Sequence, residues 1–300
     1  MARLISLVEN AAPELRQVAA ALSSRATGKA RVIGLTGSPG VGKSTSTSAL
    51  VTAYRERGLR VGVLAVDPSS PFSGGALLGD RVRMQDHATD RDVFIRSMAT
   101  RGHLGGLAWA TPQAVRILSA AGCDVVLVET VGVGQAEVEV ASMADSTVVL
   151  LAPGMGDAIQ AAKAGILEIA DVFVVNKADR DGAQATIRDL RYMLSLAERR
   201  EGDLWKPPIV PTVASRGEGI GDVVAALERH GDWLRRTGEL DRRRRARVAD
   251  EIEAIAVTAL RERIGDLRGG TALDSLAGEV VTGGLDPYTA ADRLVAGLTG

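Results

Sequence analysis

Cysteine occurs once in this chain of 300 residues, at Cys123. A single thiol excludes an intramolecular disulfide and any zinc cage built on cysteine. Cys123 stands at the mouth of an apolar run and reads as a small core residue. The histidines His87, His103 and His230 are scattered and form no His-x-x-x-His pair. Aromatic residues make up 3% of the chain, too few for a stacking platform along single-stranded nucleic acid. The formal net charge is −1, so no overall field draws the chain to nucleic acid or to an anionic membrane. No uncharged run reaches the ~18 residues of a membrane-spanning helix. Residues 1–25 lack the basic start and apolar core of a secretory leader. These absences lead to the expectation of a cytoplasmic protein with no nucleic-acid and no membrane partner. The 46% hydrophobic and 24% charged content suits a soluble protein with a sizeable core.

The apolar pattern then divides the chain. Leu4, Leu7, Val8, Leu15, Val18 and Leu22 recur at helical spacing around Pro13, which predicts one or two helices in an extension over residues 1–28. Residues 29–235 alternate between short apolar runs and helical stretches. The expected strands are Val32–Thr36, Val61–Val66, Val93–Arg96, Val125–Glu129, Thr147–Leu151, Val172–Asn176 and Ile209–Val213. Near-continuous Val, Leu and Ile predict a mainly parallel sheet buried on both faces, hence a doubly wound α/β fold. Thr111-Pro112 predicts a helix start, with Thr as the cap and Pro at the first helical position. Residues 236–300 are charged and helix-prone. They begin with the run Arg242-Arg243-Arg244-Arg245 and Arg247, then a stripe of Val248, Ile252, Ile255, Ala256 and Ala259. The arginine run fits either a solvated helix face or a contact with an acidic partner or second subunit.

The chemistry concentrates where strands end. Gly37-Ser38-Pro39-Gly40-Val41-Gly42-Lys43-Ser44, followed by Thr45, lies between the first strand and a helix, the context a P-loop requires. Glycines let backbone N–H groups curl around phosphate oxygens, and the helix turns its positive end to the same anion. Lys43 would reach the β- and γ-phosphates, and the Ser44 hydroxyl would bind Mg²⁺. Asn176-Lys177-Ala178-Asp179 follows a later strand in the Asn-Lys-x-Asp arrangement that reads guanine. The Asp179 carboxylate can accept from guanine N1–H and the 2-amino group, whereas adenine would leave it unpaired. Lys177 would cover the base and Asn176 would brace the loop. Ala214 and Ser215 follow the last strand, where a backbone N–H would reach guanine O6.

Three acids complete the expected site. Asp67 ends the second strand, Asp80 lies in Gly79-Asp80-Arg81, and Glu129 opens Glu129-Thr130-Val131-Gly132-Val133-Gly134-Gln135. Carboxylates at strand ends beside a triphosphate bind Mg²⁺ directly or through its waters. Gly132 would let its N–H approach the γ-phosphate. Asp67 and Asp80 are the candidates to orient the attacking water, and the sequence ranks neither above the other. The reaction implied is GTP hydrolysis to GDP and phosphate, with Lys43 and Mg²⁺ stabilising developing charge. No residue declares itself an arginine finger, which implies slow intrinsic turnover suited to a timing switch.

Taken together these segments resemble a known family. Glu129-x-x-Gly132 stands where Ras-like GTPases carry Asp-x-x-Gly, and Asp67 closes the second strand. Both are similar to the metallochaperone-type GTPases of the signal-recognition/MinD class. The P-loop, Val66-Asp67-Pro68-Ser69-Ser70-Pro71-Phe72-Ser73-Gly74-Gly75, Leu78-Gly79-Asp80-Arg81, Glu129–Gln135 and Asn176–Asp179 together resemble the MeaB/ArgK family, GTPases associated with methylmalonyl-CoA mutase. The resemblance runs along the chain and is specific over residues 37–180. It implies a homodimeric chaperone that binds an adenosylcobalamin-dependent mutase such as methylmalonyl-CoA mutase and gates loading and protection of its cofactor. It also implies nucleotide-responsive loops that include Gln135, Asp157 and Lys163, and a dimerisation arm over residues 236–300. Two other readings stay open. A nickel-delivery GTPase of related fold would need a metal-carrying His/Cys segment. A kinase acting on a periplasmic amino-acid transport protein would need an acceptor pocket.

Overall fold

The computed structural model describes residues 1–10, 14–23, 29–68, 84–87, 89–100, 110–130, 136–154, 166–197, 204–264 and 271–298. Helices α1 (Ala2–Glu9) and α2 (Leu15–Ser23) precede β1 (Arg31–Thr36). Then follow α3 (Lys43–Glu56), β2 (Val61–Pro68), β3 (Val93–Thr100), α4 (Ala110–Ala120), β4 (Val125–Thr130), α5 (Ala136–Met143) and β5 (Ser146–Leu151). Next come α6 (Ile166–Ile169), β6 (Val172–Val175), α7 (Ala183–Ala197) and β7 (Ile209–Pro211). The described chain closes with α8 (Ile220–Thr237), α9 (Glu239–Ile264), α10 (Thr271–Val281) and α11 (Pro287–Leu298).

The described strands form one seven-stranded sheet in the order β3-β2-β4-β1-β5-β6-β7. Each neighbouring pair is parallel. All seven runs that the apolar pattern marks as strands are strands, and the reason is visible in their burial. Ile33, Leu35, Val125, Leu127, Val148, Leu150, Val172 and Val174 enter one core, under α3 and α8. The alternate residues Val32, Val126 and Val128 enter a second core with α1, α2 and α4. Val149, Leu151, Phe173 and Val175 enter a third beneath α7. A strand with apolar partners on both faces has no polar alternation to show. The chain runs from β1 to one side of the sheet and later returns to its other side at β5, so β1 is the topological switch point, where such sheets bind ligands.

Helix α4 begins at Ala110, one residue before the expected cap, so Thr111 is buried inside the first turn. Pro112 still falls within that turn, where a missing N–H costs nothing.

The chain divides into two compact units, residues 1–247 and 248–300, with the division inside α9. The first unit contains the arginine run, and there the structure departs in part from the readings offered above. Arg243 donates to both oxygens of Asp171 at 3.1 Å. Arg244 donates to Asp145 at 2.7 and 3.1 Å, and Arg247 at 2.5 Å. Asp145 and Asp171 are 2% and 5% exposed and immediately precede β5 and β6, or their turns into them. Their carboxylates also cap the sheet backbone, at Val32 N–H and Thr147 N–H. Burial pushes the Asp145 carboxyl up, but the hydrogen bonds and charges of Arg244 and Arg247 outweigh it and hold it below the ordinary value. Arg243, Arg244 and Arg247 are therefore internal counterions, while Arg242 and Arg245 lie on the solvated face that the run was also read as. In the second unit α10 packs with α11, and Arg293 lies 3.6 Å from Glu279. Val248, Ile252, Ile255 and Leu260 are exposed along the rest of α9.

Candidate nucleotide site

The turn after β1 is shaped by its neighbours. Gly37 has φ 141°, and a Cβ there would lie 2.3 Å from the Leu150 carbonyl oxygen, so the strand beside it admits only glycine. Gly42 caps α3 in the left-handed region at φ 97°, and a Cβ there would lie 2.4 Å from Asn176 Nδ2. Val41 is fully buried and pins the loop to the core, while Pro39, Gly40 and Thr45 are exposed. Lys43 Nζ folds back over the loop and donates to the carbonyls of Gly37 at 2.5 Å and Ser38 at 3.1 Å. Ser44 follows as the second residue of α3, 7% exposed.

Glu129 meets this helix from β4. Its Cα is level with Leu35 of β1 and Ala65 of β2, and the residue is 1% exposed. Ser44 Oγ donates to Oε1 at 2.6 Å, and Thr47 Oγ1 lies 2.9 Å from Oε2. The Thr47 hydroxyl is also 3.0 Å from the Lys43 carbonyl, so its one proton is shared between two acceptors. Thr47 was absent from the motif reading. Its position one turn beyond Ser44 on the same helix face was the available signal. A hydroxyl and a carboxylate 2.6 Å apart form a hard oxygen pair of the kind Mg²⁺ takes beside phosphates.

The second motif joins the first through Asn176, 3% exposed. Its Nδ2 donates to the Val41 carbonyl at 2.8 Å. Its Oδ1 accepts from Ala214 N–H at 3.1 Å and Thr212 Oγ1 at 3.2 Å. One amide thus ties the P-loop to the ends of β6 and β7. Lys177 takes φ 57°, a left-handed backbone uncommon for a side-chain-bearing residue, and its Nζ donates to the Gly40 carbonyl at 2.6 Å. Because Asn176 engages Ala214 N–H, Ser215 is the member of that pair whose N–H has no bond from the described residues. Asp179 is part exposed and lies 3.5 Å from Arg216 Nη1. Glu218 holds the same guanidinium at 2.7 Å and keeps Arg216 firmly charged. Nothing contiguous in the sequence pointed to Arg216.

Asp67 lies in β2 two residues past the level of Glu129, with Ala99 of β3 beside it. Asp80, Gly132, Gln135, Asp157 and Lys163 lie outside the described residues. The site therefore consists of the P-loop, α3, the end of β4 and the β6 and β7 loops, gathered at the C-terminal edge of the sheet.

Residues 1–267 match the family model described as methylmalonyl Co-A mutase-associated GTPase MeaB. A protein of Pyrococcus abyssi (strain GE5 / Orsay), described as a candidate GTPase, is 46% identical over 301 residues, which cover 100% of this chain and 92% of the relative. The mitochondrial methylmalonic aciduria type A homolog of Caenorhabditis elegans is 36% identical over 274 residues, covering 88% of this chain and 67% of the relative. Among solved structures, a LAO/AO transport system kinase superposes with a TM-score of 0.74 at 28% identity, covering 100% of this chain and 92% of that one.

Proposed function

The chain belongs to the MeaB family of methylmalonyl Co-A mutase-associated GTPases, and from that premise we propose that it is a slow, Mg²⁺-dependent GTP switch serving an adenosylcobalamin-dependent mutase. The observation that carries the reading is the junction at Asn176, where the phosphate loop and the base-reading loop share one buried amide. That junction supports a single ligand with a purine at one end and phosphates at the other.

In this reading the N–H groups of Gly37 to Thr45 cradle the phosphates, with Ser38, Pro39, Gly40, Val41 and Gly42 setting the loop's curve. Lys43 exchanges its carbonyl partners for β- and γ-phosphate oxygens. Asp179 accepts from guanine N1–H and the 2-amino group, Lys177 covers the base, and Ser215 N–H serves O6. Ser44 and Glu129, together with Asp67 and Asp80, would hold Mg²⁺, which neutralises phosphate charge when bound. Thr47 keeps the Glu129 carboxylate turned toward Ser44. Water attacks the γ-phosphate in line, oriented by Asp67 or Asp80, and Gly132 N–H meets the transferred group. Gln135, Asp157 and Lys163 report the phosphate state to the mutase. The partner is the mutase named by the family, possession of whose cofactor the switch gates and protects.

The exposed stripe of Val248, Ile252, Ile255 and Leu260 supports a homodimer formed through the helical arm. No described helix is long and apolar enough to cross a membrane, which fits the proposed cytoplasmic site of action.

The test is co-elution of the chain with an adenosylcobalamin-dependent mutase on gel filtration, with GDP and with a non-hydrolysable GTP analogue. The expected result is a complex whose amount depends on the nucleotide. A complex in neither state, with GTP turnover unchanged by the mutase, would sink the switch reading. Transfer of labelled γ-phosphate to a protein faster than to water would replace it with a kinase.

A further inference from the structure

A cavity of about 370 Å³ lies at the opposite edge of the sheet, around the first residues of β1, β4 and β5. Its volume falls within the range of small-molecule sites. Its carboxylates are already engaged. Asp145 is held by Arg244 and Arg247, Asp124 accepts from the backbone N–H of Arg60 at 2.8 Å, and Glu228 pairs with Arg57.

Its donors are not all engaged in the same way. Arg31 makes no ion pair with any described residue. Arg235 is paired only at its own helix surface, with Asp232 at 2.6 Å. The two guanidinium groups converge over Gly231. A Cβ on that glycine would lie 3.7 Å from Arg31 Nε and 3.6 Å from Arg235 Nη1. The absent side chain leaves the space between them open. Lys29 adds an exposed ammonium at the rim.

Tyr54 supplies the independent observation. It is 1% exposed, it lines the cavity, and its hydroxyl has no partner of normal hydrogen-bond geometry among the described residues. A buried, unpaired hydroxyl costs free energy and points to a group that satisfies it. Burial pushes its pKa up to about 12, so it keeps its proton and can donate. Arg31 stands beside the hydroxyl and counters part of that upward push. Two cations and a donor hydroxyl, with Asp145 and Glu228 each held by arginine, select an anion. The remaining lining includes Leu59, Leu234 and Leu240, which select an apolar body attached to it.

We propose that this cavity is a second ligand site, distinct from the nucleotide site, for a small organic anion: a carboxylate or phosphate head on a short apolar body. The head lies between Arg31, Arg235 and the Tyr54 hydroxyl, and the apolar body lies against the leucines.

Isothermal titration of the full chain, saturated with GDP and Mg²⁺ so that the P-loop is filled, tests this with hexanoate, hexyl phosphate and 1-hexanol as probes. The expected result is saturable 1:1 binding of at least one anion, with Kd of about 1 mM or tighter, and no binding of the alcohol. Whichever anion binds more tightly names the head group. Tyr54→Phe keeps the ring packed and removes only the hydroxyl; Arg31→Met keeps the stem and removes the charge. Each should weaken binding about tenfold, the usual scale for one lost bond to a charged group. Absence of saturable binding by both anions, equal binding of hexanol, or undiminished affinity in Tyr54→Phe would overturn the proposal.

Discussion

Replacing Asp145 by Asn tests whether the arginine run is an internal counterion set. Asp145 accepts two bonds from Arg244, one from Arg247 and one from Val32 N–H. Asparagine keeps the shape but loses the charge, and it turns an NH₂ toward guanidinium donors. Three charge-assisted bonds are then lost or made neutral, at roughly 1 kcal/mol each. The Arg244 and Arg247 side chains are 29% and 20% exposed, so water recovers part of their solvation. The expected loss is about 3 kcal/mol, at the low end of what breaking a buried ion pair costs. That corresponds to a fall in Tm of about 5 °C for a chain of this size. Urea denaturation of the GDP-bound protein measures it, with Glu239→Gln as the comparison. Glu239 pairs at 2.6 Å with Arg242, whose side chain is 74% exposed, and only at 3.3 Å with Arg243, so that change should cost about 1 kcal/mol. Because Asp145 is remote from the P-loop along the strands, GTP turnover of the folded variant should be unchanged. A loss for Asp145→Asn no larger than for Glu239→Gln would refute the counterion account.

Other outcomes follow from the same geometry. Lys43→Ala should abolish GTP hydrolysis with modest loss of stability; unchanged turnover in a phosphate-release assay would remove Lys43 from the chemistry. Asp179→Asn should shift preference from GTP toward xanthosine triphosphate, whose 2-carbonyl needs a donor; competition binding that still favours GTP would count against base reading by Asp179. Thr47→Val should lower turnover by about tenfold, as Glu129 loses one of its orienting bonds, and Thr47→Ser should restore most of it; equal rates in all three proteins would leave Thr47 a packing residue. His230 is buried against Trp205 and Trp233, with Nδ1 2.8 Å from Ser146 Oγ. Burial lowers its pKa from 6.5 to about 4, despite Asp171 nearby. Between those values the unfolded chain binds the extra proton, so stability falls as pH drops through that window, by about 3 kcal/mol in all. His230→Gln should flatten that part of the stability curve measured by urea at pH 4.5 to 7, and an unchanged slope would show that another group titrates there. The Asp145 carboxyl contributes in the opposite pH sense to its burial and below this window: its stabilisation is full above about pH 3.9 and is lost as pH falls through its depressed folded value.

What the sequence made legible was whatever a contiguous stretch encodes. The seven strands were readable because β-branched and leucine runs buried on both faces need no long-range knowledge to recognise. The P-loop and Asn176–Asp179 were readable because their backbone demands fall on adjacent residues: Gly37 and Gly42 are forced by turns that the spacing itself describes. The rest depended on partners that sequence separates. Arg243 and Arg244 meet carboxylates 72 and 99 residues away, so part of an arginine run that resembles a solvated face turns inward. Ser44 and Thr47 meet Glu129 across 85 and 82 residues. Arg216 shows no motif because only the fold of the loop at Gly217 and Gly219 brings it to Asp179. α4 starts two residues before Pro112 because Thr111 is buried inside the helix and does not cap it.

The buried acids of this sheet separate into two sets by the strand end they occupy. Glu129, at the C-terminal end of β4, is met by hydroxyls from α3, the helix that opens on the P-loop. Under the proposed Mg²⁺ binding, a shift of Ser44 toward the metal would be felt directly by β4 through Glu129. Asp145 and Asp171, at the N-terminal ends of β5 and β6, are met by guanidiniums from α9. A charge pair of that kind is worth more broken than made: removing one partner strands the other in a poor solvent, so the first turns of α9 are fixed to the sheet. The fixed root matters for the exposed apolar stripe that begins at Val248, one residue beyond Arg247. Arginine counterions thus end where the apolar face begins, and the helix changes from a part of the sheet's electrostatics to a surface with unmet apolar area. On the proposed switch reading, a carboxylate whose partners come from the nucleotide helix would carry the signal, whereas one whose partners come from α9 holds position. Position along the strand, more than burial, decides which of these two roles an acid in this fold performs.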